Sequence, residues 1–146
     1  MSAERGRIMA LDIGARRIGV ALSDSTGVLA SPLTTLRAEP RAAAIARIAT
    51  LVAQHEVAQL VVGLPLTLSG EVGPQAQLVQ AFVGELRPAV AVPIHMFDER
   101  LTTVAAERMM IDLGIKPDRR KARIDEVAAS IILQDFLESQ RDRAEG

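Results

Sequence analysis

A chain of 146 residues is the length of one domain and long enough to bury a single sizeable core. Hydrophobic residues make up 49% and charged residues 24%, and a formal net charge of −1 means that any nucleic-acid binding needs a local patch. The lack of cysteine excludes disulfides and cysteine–zinc sites, and three phenylalanines without Trp or Tyr argue against stacking successive bases on aromatics. No apolar run approaches the roughly 20 residues of a membrane helix, and the N-terminus lacks the apolar core of a secretion signal. A cytoplasmic location is expected.

The first 38 residues read as a strand meander. "RIMALDIG" is the first strand and "RIGVALSD" the second, joined by "GARR", where Gly14 allows a tight connection. "DSTG" is a further turn signal, and "VLASPLTTLR" follows as a third strand. Helix and strand then alternate. "PRAAAIARIATLVAQHEV" opens at Pro40 and puts Ile45, Ile48, Leu51 and Val52 on one helical face. "AQLVVGLP" is a short buried strand, "PQAQLVQAFVGELRP" a helix stopped by Pro88, and "AVAVPIHMF" the next strand. "TTVAAERMMIDLG" is a helix closed by Gly114, and a basic loop "IKPDRRKAR" leads to the last helix, "IDEVAASIILQDFLES". The order β-β-β-α-β-α-β-α-α predicts an α/β domain over 1–138, with a mixed five-stranded sheet flanked by helices and a polar tail over 139–146.

Within that frame Asp12 is the anomaly. Ile8, Met9, Ala10, Leu11 and Ile13 form a run buried on both faces, and an ionised carboxylate there costs several kcal/mol unless compensated. Ligands of open α/β sheets collect outside the carboxyl ends of the parallel strands. Asp98 and Glu99 follow the strand "AVPIHMF", and Asp125 starts the last helix. Side-chain alternation allows only one of Asp98 and Glu99 into a shared pocket. Glu99 is favoured, with Asp98 as the second candidate. Three converging carboxylates repel unless a cation lies among them, and hard oxygen donors suit Mg²⁺ or Mn²⁺. Two such ions about 3.5–4 Å apart serve phosphodiester hydrolysis. Taken singly, Asp12, at a strand end and two residues before Gly14, reads as a turn former and Asp125 as a helix cap.

Basic residues lie near these acids. Lys116, Arg119, Arg120, Lys121 and Arg123 lie within a few residues before Asp125 and read as a phosphate-holding loop, against the plainer reading of a solvated charged loop. Arg16, Arg17 and Arg100 extend the same patch. Thr102 reads first as a helix N-cap and second as a substrate contact. The loop opened by Gly63, "GLPLTLSGEVGP", offers backbone N–H groups to a phosphate or is a plain crossover. His55 complements a helix C-terminus, and His95 reads as packing rather than as a general base.

The segments "LDIGARRIGVALSD", "VVGLPLTLSG", "FDERLTTVAA" and "KARIDEVAASIIL" resemble, in order and spacing, those of the YqgF family of pre-16S rRNA nucleases and Holliday-junction-resolvase-like proteins. The resemblance runs from about Met9 to Leu137 and implies an RNase H-like fold. It also implies a divalent-metal endonuclease site at Asp12, Glu99 (with Asp98 adjacent) and Asp125, acting on precursor 16S rRNA. Competing readings are a resolvase of four-way DNA junctions, which calls for a homodimer rather than a monomer, and a non-catalytic nucleic-acid-binding module. The first motif is also similar to the phosphate loop of actin-like and sugar-kinase folds, but those need two domains around one nucleotide.

Overall fold

The computed structural model describes residues 6–67, 69–98 and 117–145, with side chains over 6–67, 69–98 and 124–140. Strands β1 (Arg7–Ile13), β2 (Arg17–Ser23) and β3 (Ala30–Arg37) form the expected antiparallel meander. Helix α1 (Arg41–Gln54) crosses to β4 (Val57–Leu64), and α2 (Pro74–Leu86) with a 3₁₀ turn (Arg87–Ala89) crosses to β5 (Ile94–Asp98). β4 runs parallel to β1 and β5 parallel to β4, giving the strand order β3-β2-β1-β4-β5. The last helix, α3, spans Pro117–Glu145. The α/β mixed five-stranded sheet anticipated from the sequence is the one observed.

Two cores explain why β1 is apolar on both faces. Met9, Leu11 and Ile13 join Ile18 and Val20 of β2 in a cluster under α1 and α2, with Ile48, Leu51 and Val52 from α1 and Val79, Phe82, Val83 and Leu86 from α2. Ile8 and Ala10 face the other way, with Ala21 and Val61, against Ala129, Ile132, Leu133, Phe136 and Leu137 of α3. Alternation along β1 therefore splits its side chains between two helical layers. A register shift at Arg7/Ile8 accompanies a side-chain bond, in which the Ile8 N–H donates to the buried Ser23 Oγ at 2.8 Å.

Several local expectations change. The basic segment 117–123 is helical, not a loop. Pro117 suits a first helical position, and the Arg, Lys and Ala that follow are good helix formers despite their charge. The polar stretch after Ser139 continues the same helix to Glu145. β5 begins only at Ile94, where Pro88 and Pro93 no longer interrupt a ladder that needs N–H donors. Gly14 is required by close approach, since a Cβ there would lie 2.9 Å from the Arg17 carbonyl oxygen. The helix predicted over 102–114 lies outside the described residues.

Candidate active site

The site is built on one face of the sheet. Asp12 shares strand parity with Ile8 and Ala10, so it projects toward the α3 layer, near the carboxyl end of β1. Its direct partner across the antiparallel pair is Gly19 of β2, a spacing of about 4.5–5.5 Å between Cα atoms. α3 crosses the sheet at that glycine. A Cβ on Gly19 would lie 1.9 Å from the Asp125 carbonyl oxygen and 2.2 Å from its carbonyl carbon. The absent side chain lets the helix backbone sit on the strand, and Asp125 is thereby carried to the face on which Asp12 projects.

The Asp125 carboxylate is fixed by charge. Arg17 Nε donates to its Oδ2 at 2.6 Å, joining residues 108 apart in the chain. Their side chains are 50% and 22% exposed, so solvent weakens the pair and its net value is about 0–1 kcal/mol. Its role is to orient rather than to stabilise. Arg37, which no sequence motif singles out, is Arg17's cross-strand partner on β3. Its position in a generic strand end offered no motif, and only the register reveals it.

Thr35 is the cross-strand partner of Gly19, so Asp12, Gly19 and Thr35 form one row across three strands. Among the described residues, Thr35 Oγ1 is a buried side-chain oxygen with no hydrogen-bond partner. An unsatisfied buried hydroxyl costs roughly 1–3 kcal/mol. Thr35→Val, which keeps the branched shape, is expected to raise stability by about 1 kcal/mol in urea titration. A variant less stable than the parent would show that the hydroxyl is satisfied.

The other predicted residues fall as follows. Asp98 ends β5 with the parity of Ile94 and Met96, which pack in the α1/α2 cluster, so alternation directs it away from the α3 face. Glu99, Arg100, Thr102 and Lys116 lie outside the described residues, as do the side chains of Arg119, Arg120, Lys121 and Arg123. Gly63 lies inside β4, buried and paired with Phe97, rather than in the loop that follows. That loop binds itself: Thr67 N–H donates to Glu71 O at 2.9 Å, Gly70 N–H donates to Thr67 O, and Glu71 N–H donates to Thr67 Oγ1. These N–H groups are committed internally, which favours the plain crossover reading. Arg16 is exposed in the β1–β2 turn, and its carbonyl accepts from Ala38 N–H at 2.9 Å. His55 caps α1, and His95 stacks on Phe136 with ring centroids 5.9 Å apart, a packing role as expected.

Among the described residues, no group of three His, Cys, Asp or Glu could hold a metal ion. Asp12 and Asp125 supply two hard oxygen donors on one face, a set suited in kind to Mg²⁺ or Mn²⁺ and in need of a further ligand. No helix among the described residues is long and apolar enough to cross a membrane.

Comparison with known proteins agrees with this architecture. A family model described as RuvX, Holliday junction resolvase, matches residues 6–139. A protein of Roseiflexus sp. (strain RS-1), named as a candidate pre-16S rRNA nuclease, is 71% identical over 141 residues, covering 97% of this chain and 100% of the relative. A protein of Chloroflexus aurantiacus (strain ATCC 29366 / DSM 635 / J-10-fl) carrying the same name is 58% identical over 134 residues, covering 92% and 88%. Among solved structures, Thermus thermophilus RuvC in complex with Holliday junction substrate aligns with a TM-score of 0.56 at 16% identity, over 93% of this chain and 96% of that one. The fowlpox virus Holliday junction resolvase aligns with a TM-score of 0.56 at 14% identity, over 91% and 99%. At such identities the likeness carries the fold alone, which is RNase H-like. With its family model running through both cores and both carboxylates, this chain belongs to the RuvX (YqgF) family.

Proposed function

We propose that this protein is a divalent-metal-dependent endonuclease that hydrolyses phosphodiester bonds in the 5′-end maturation of precursor 16S rRNA, acting in the cytoplasm. The observation that carries the proposal is that Asp12 and the backbone of Asp125 are both neighbours of Gly19, Asp12 as its cross-strand partner and Asp125 from the helix laid over it. The names of relatives at 71% and 58% identity supply the substrate. Glu99 is the third carboxylate in this reading, because the parity of Asp98 turns it toward the opposite layer.

Asp12, Asp125 and Glu99 would hold Mg²⁺ or Mn²⁺. When bound, the ion supplies Lewis-acid stabilisation of the charge that develops on the phosphate. The chain's own residues do the rest. Asp12 and Asp125 sit on a strand and a helix, rigid elements rather than loops. Arg16, Arg17, Arg100, Arg119, Arg120, Lys121 and Arg123 draw and position the backbone without reading its sequence. Thr102 adds a polar contact, and Gly63 keeps the end of β4 slender beside the site.

The test is a substrate panel with and without EDTA. Precursor RNA spanning the 16S 5′ end, single-stranded DNA and a four-way DNA junction are each incubated with Mg²⁺ or Mn²⁺. Chelator-sensitive internal cleavage of the RNA is the expected result. Preferential, symmetric cutting of the junction by a dimer would move the protein to the resolvase reading. Binding without cleavage of any substrate would leave a nucleic-acid-binding module.

A further inference from the structure

The end of the sheet beside Asp125 brings two arginines together across neighbouring strands. Arg17 and Arg37 are direct partners across the antiparallel β2–β3 pair, an arrangement in which like charges repel. Arg37 is exposed and Arg17 is half exposed, so both reach solvent at the rim of the site. Asp125 engages Arg17 through the single Nε–Oδ2 bond. That bond uses the carboxylate which, in the reading above, also holds a cation. The guanidinium fork that fits a carboxylate fits a phosphate equally well.

We propose that Arg17 and Arg37 form a seat for a backbone phosphate of nucleic acid, and that Asp125 gates it by exchanging Arg17 for a divalent cation. The inference rests on Asp125 being a cation ligand. While Asp125 is paired with Arg17, the two arginines act as little more than one positive charge. Once Asp125 has a different partner, Arg17 turns to the phosphate and the repulsion from Arg37 is relieved by the same anion. Cation and phosphate binding are then linked through Arg17, and each raises the affinity of the other by one common factor.

Two measurements on the full chain test this, both read from binding. The first titrates Mn²⁺ in the absence of nucleic acid and follows the free ion by electron paramagnetic resonance. Arg17→Gln removes the competitor for Asp125 and is expected to tighten Mn²⁺ binding about two- to fivefold, the range that releasing a solvent-weakened pair allows. Arg37→Gln only removes a screened charge and is expected to change it less than about twofold. The second follows fluorescence anisotropy of labelled 12-nucleotide RNA and DNA with and without Mn²⁺, the probes being checked as intact on a gel. Mn²⁺ is expected to tighten binding of both probes to the parent, and this gain is expected to shrink about fivefold in Arg17→Gln and in Arg37→Gln. Thermal melts establish that each variant is folded, and Arg37→Lys is expected to restore part of the gain.

Unchanged Mn²⁺ affinity in Arg17→Gln, or an undiminished gain in Arg37→Gln, overturns the proposal. A gain confined to one of the two probes also overturns it, because a phosphate seat serves both. Failure of the nuclease reading is distinguishable, since it is read from the cleavage panel alone.

Discussion

Asp12→Asn is expected to reduce metal-dependent cleavage by about 10³-fold or more, roughly 4 kcal/mol of transition-state stabilisation, without unfolding the protein. Asparagine keeps the shape of the side chain and removes its charge. β1 is held by Met9, Ala10 and Leu11, all fully buried, and by ladders to β2 on one side and β4 on the other. Stability is therefore expected to stay within about 1 kcal/mol of the parent, as for an isosteric change outside the packed core. The two readouts separate the explanations. A structural aspartate would show a large shift in the melt and a proportionate loss of activity. A cation ligand shows a normal melt and almost no cleavage. Cleavage within tenfold of the parent by a folded Asp12→Asn protein would end the metal-site reading.

The apolar pattern made the sheet legible, because β1 and β4 have to be hydrophobic on both faces when helices cover both. Asp12 stood out for the same reason. What the pattern hid lies in register and helix placement. Nothing local says that Gly19 opposes Asp12 or that Asp125 rests on it; the contact joins the second strand to the last helix. Gly19 reads as an ordinary strand glycine, although an isolated glycine in a strand is a signal of close backbone approach. Arg37 was invisible for a related reason, since its importance comes from its cross-strand partner. The basic run 117–123 has the charge density of a solvated loop but is helical, because Arg, Lys and Ala all favour helix. Asp24 shows the reverse case, a turn signal that was sound. Its carboxylate accepts from Thr26 and from the Val28 and Leu29 N–H groups, which lower its pKa to about 2.

Gly19→Ala is expected to cost far more activity than stability. The new Cβ would fall 1.9 Å from the Asp125 carbonyl oxygen, 2.2 Å from its carbon and 2.9 Å from the Glu126 nitrogen. All three are backbone atoms, so no side chain can rotate away, and the strand and helix have to part. Ile132, Leu133, Phe136 and Leu137 anchor α3 further along, and burying four such side chains is worth roughly 6–12 kcal/mol. Overpacking costs about 1–3 kcal/mol, so the helix stays docked and its beginning lifts. The melting temperature is expected to fall by roughly 3–10 °C. Asp125 moves with the lifted turn, and a displacement of about 1 Å from a working geometry costs on the order of 10²-fold in rate. Cleavage is thus expected to drop about a hundredfold in a protein whose circular dichroism at 25 °C matches the parent. Gly19→Ala with parental activity and an unchanged melt would mean that α3 does not rest on β2 at this glycine. The route by which Asp125 reaches Asp12 would then have to be redrawn.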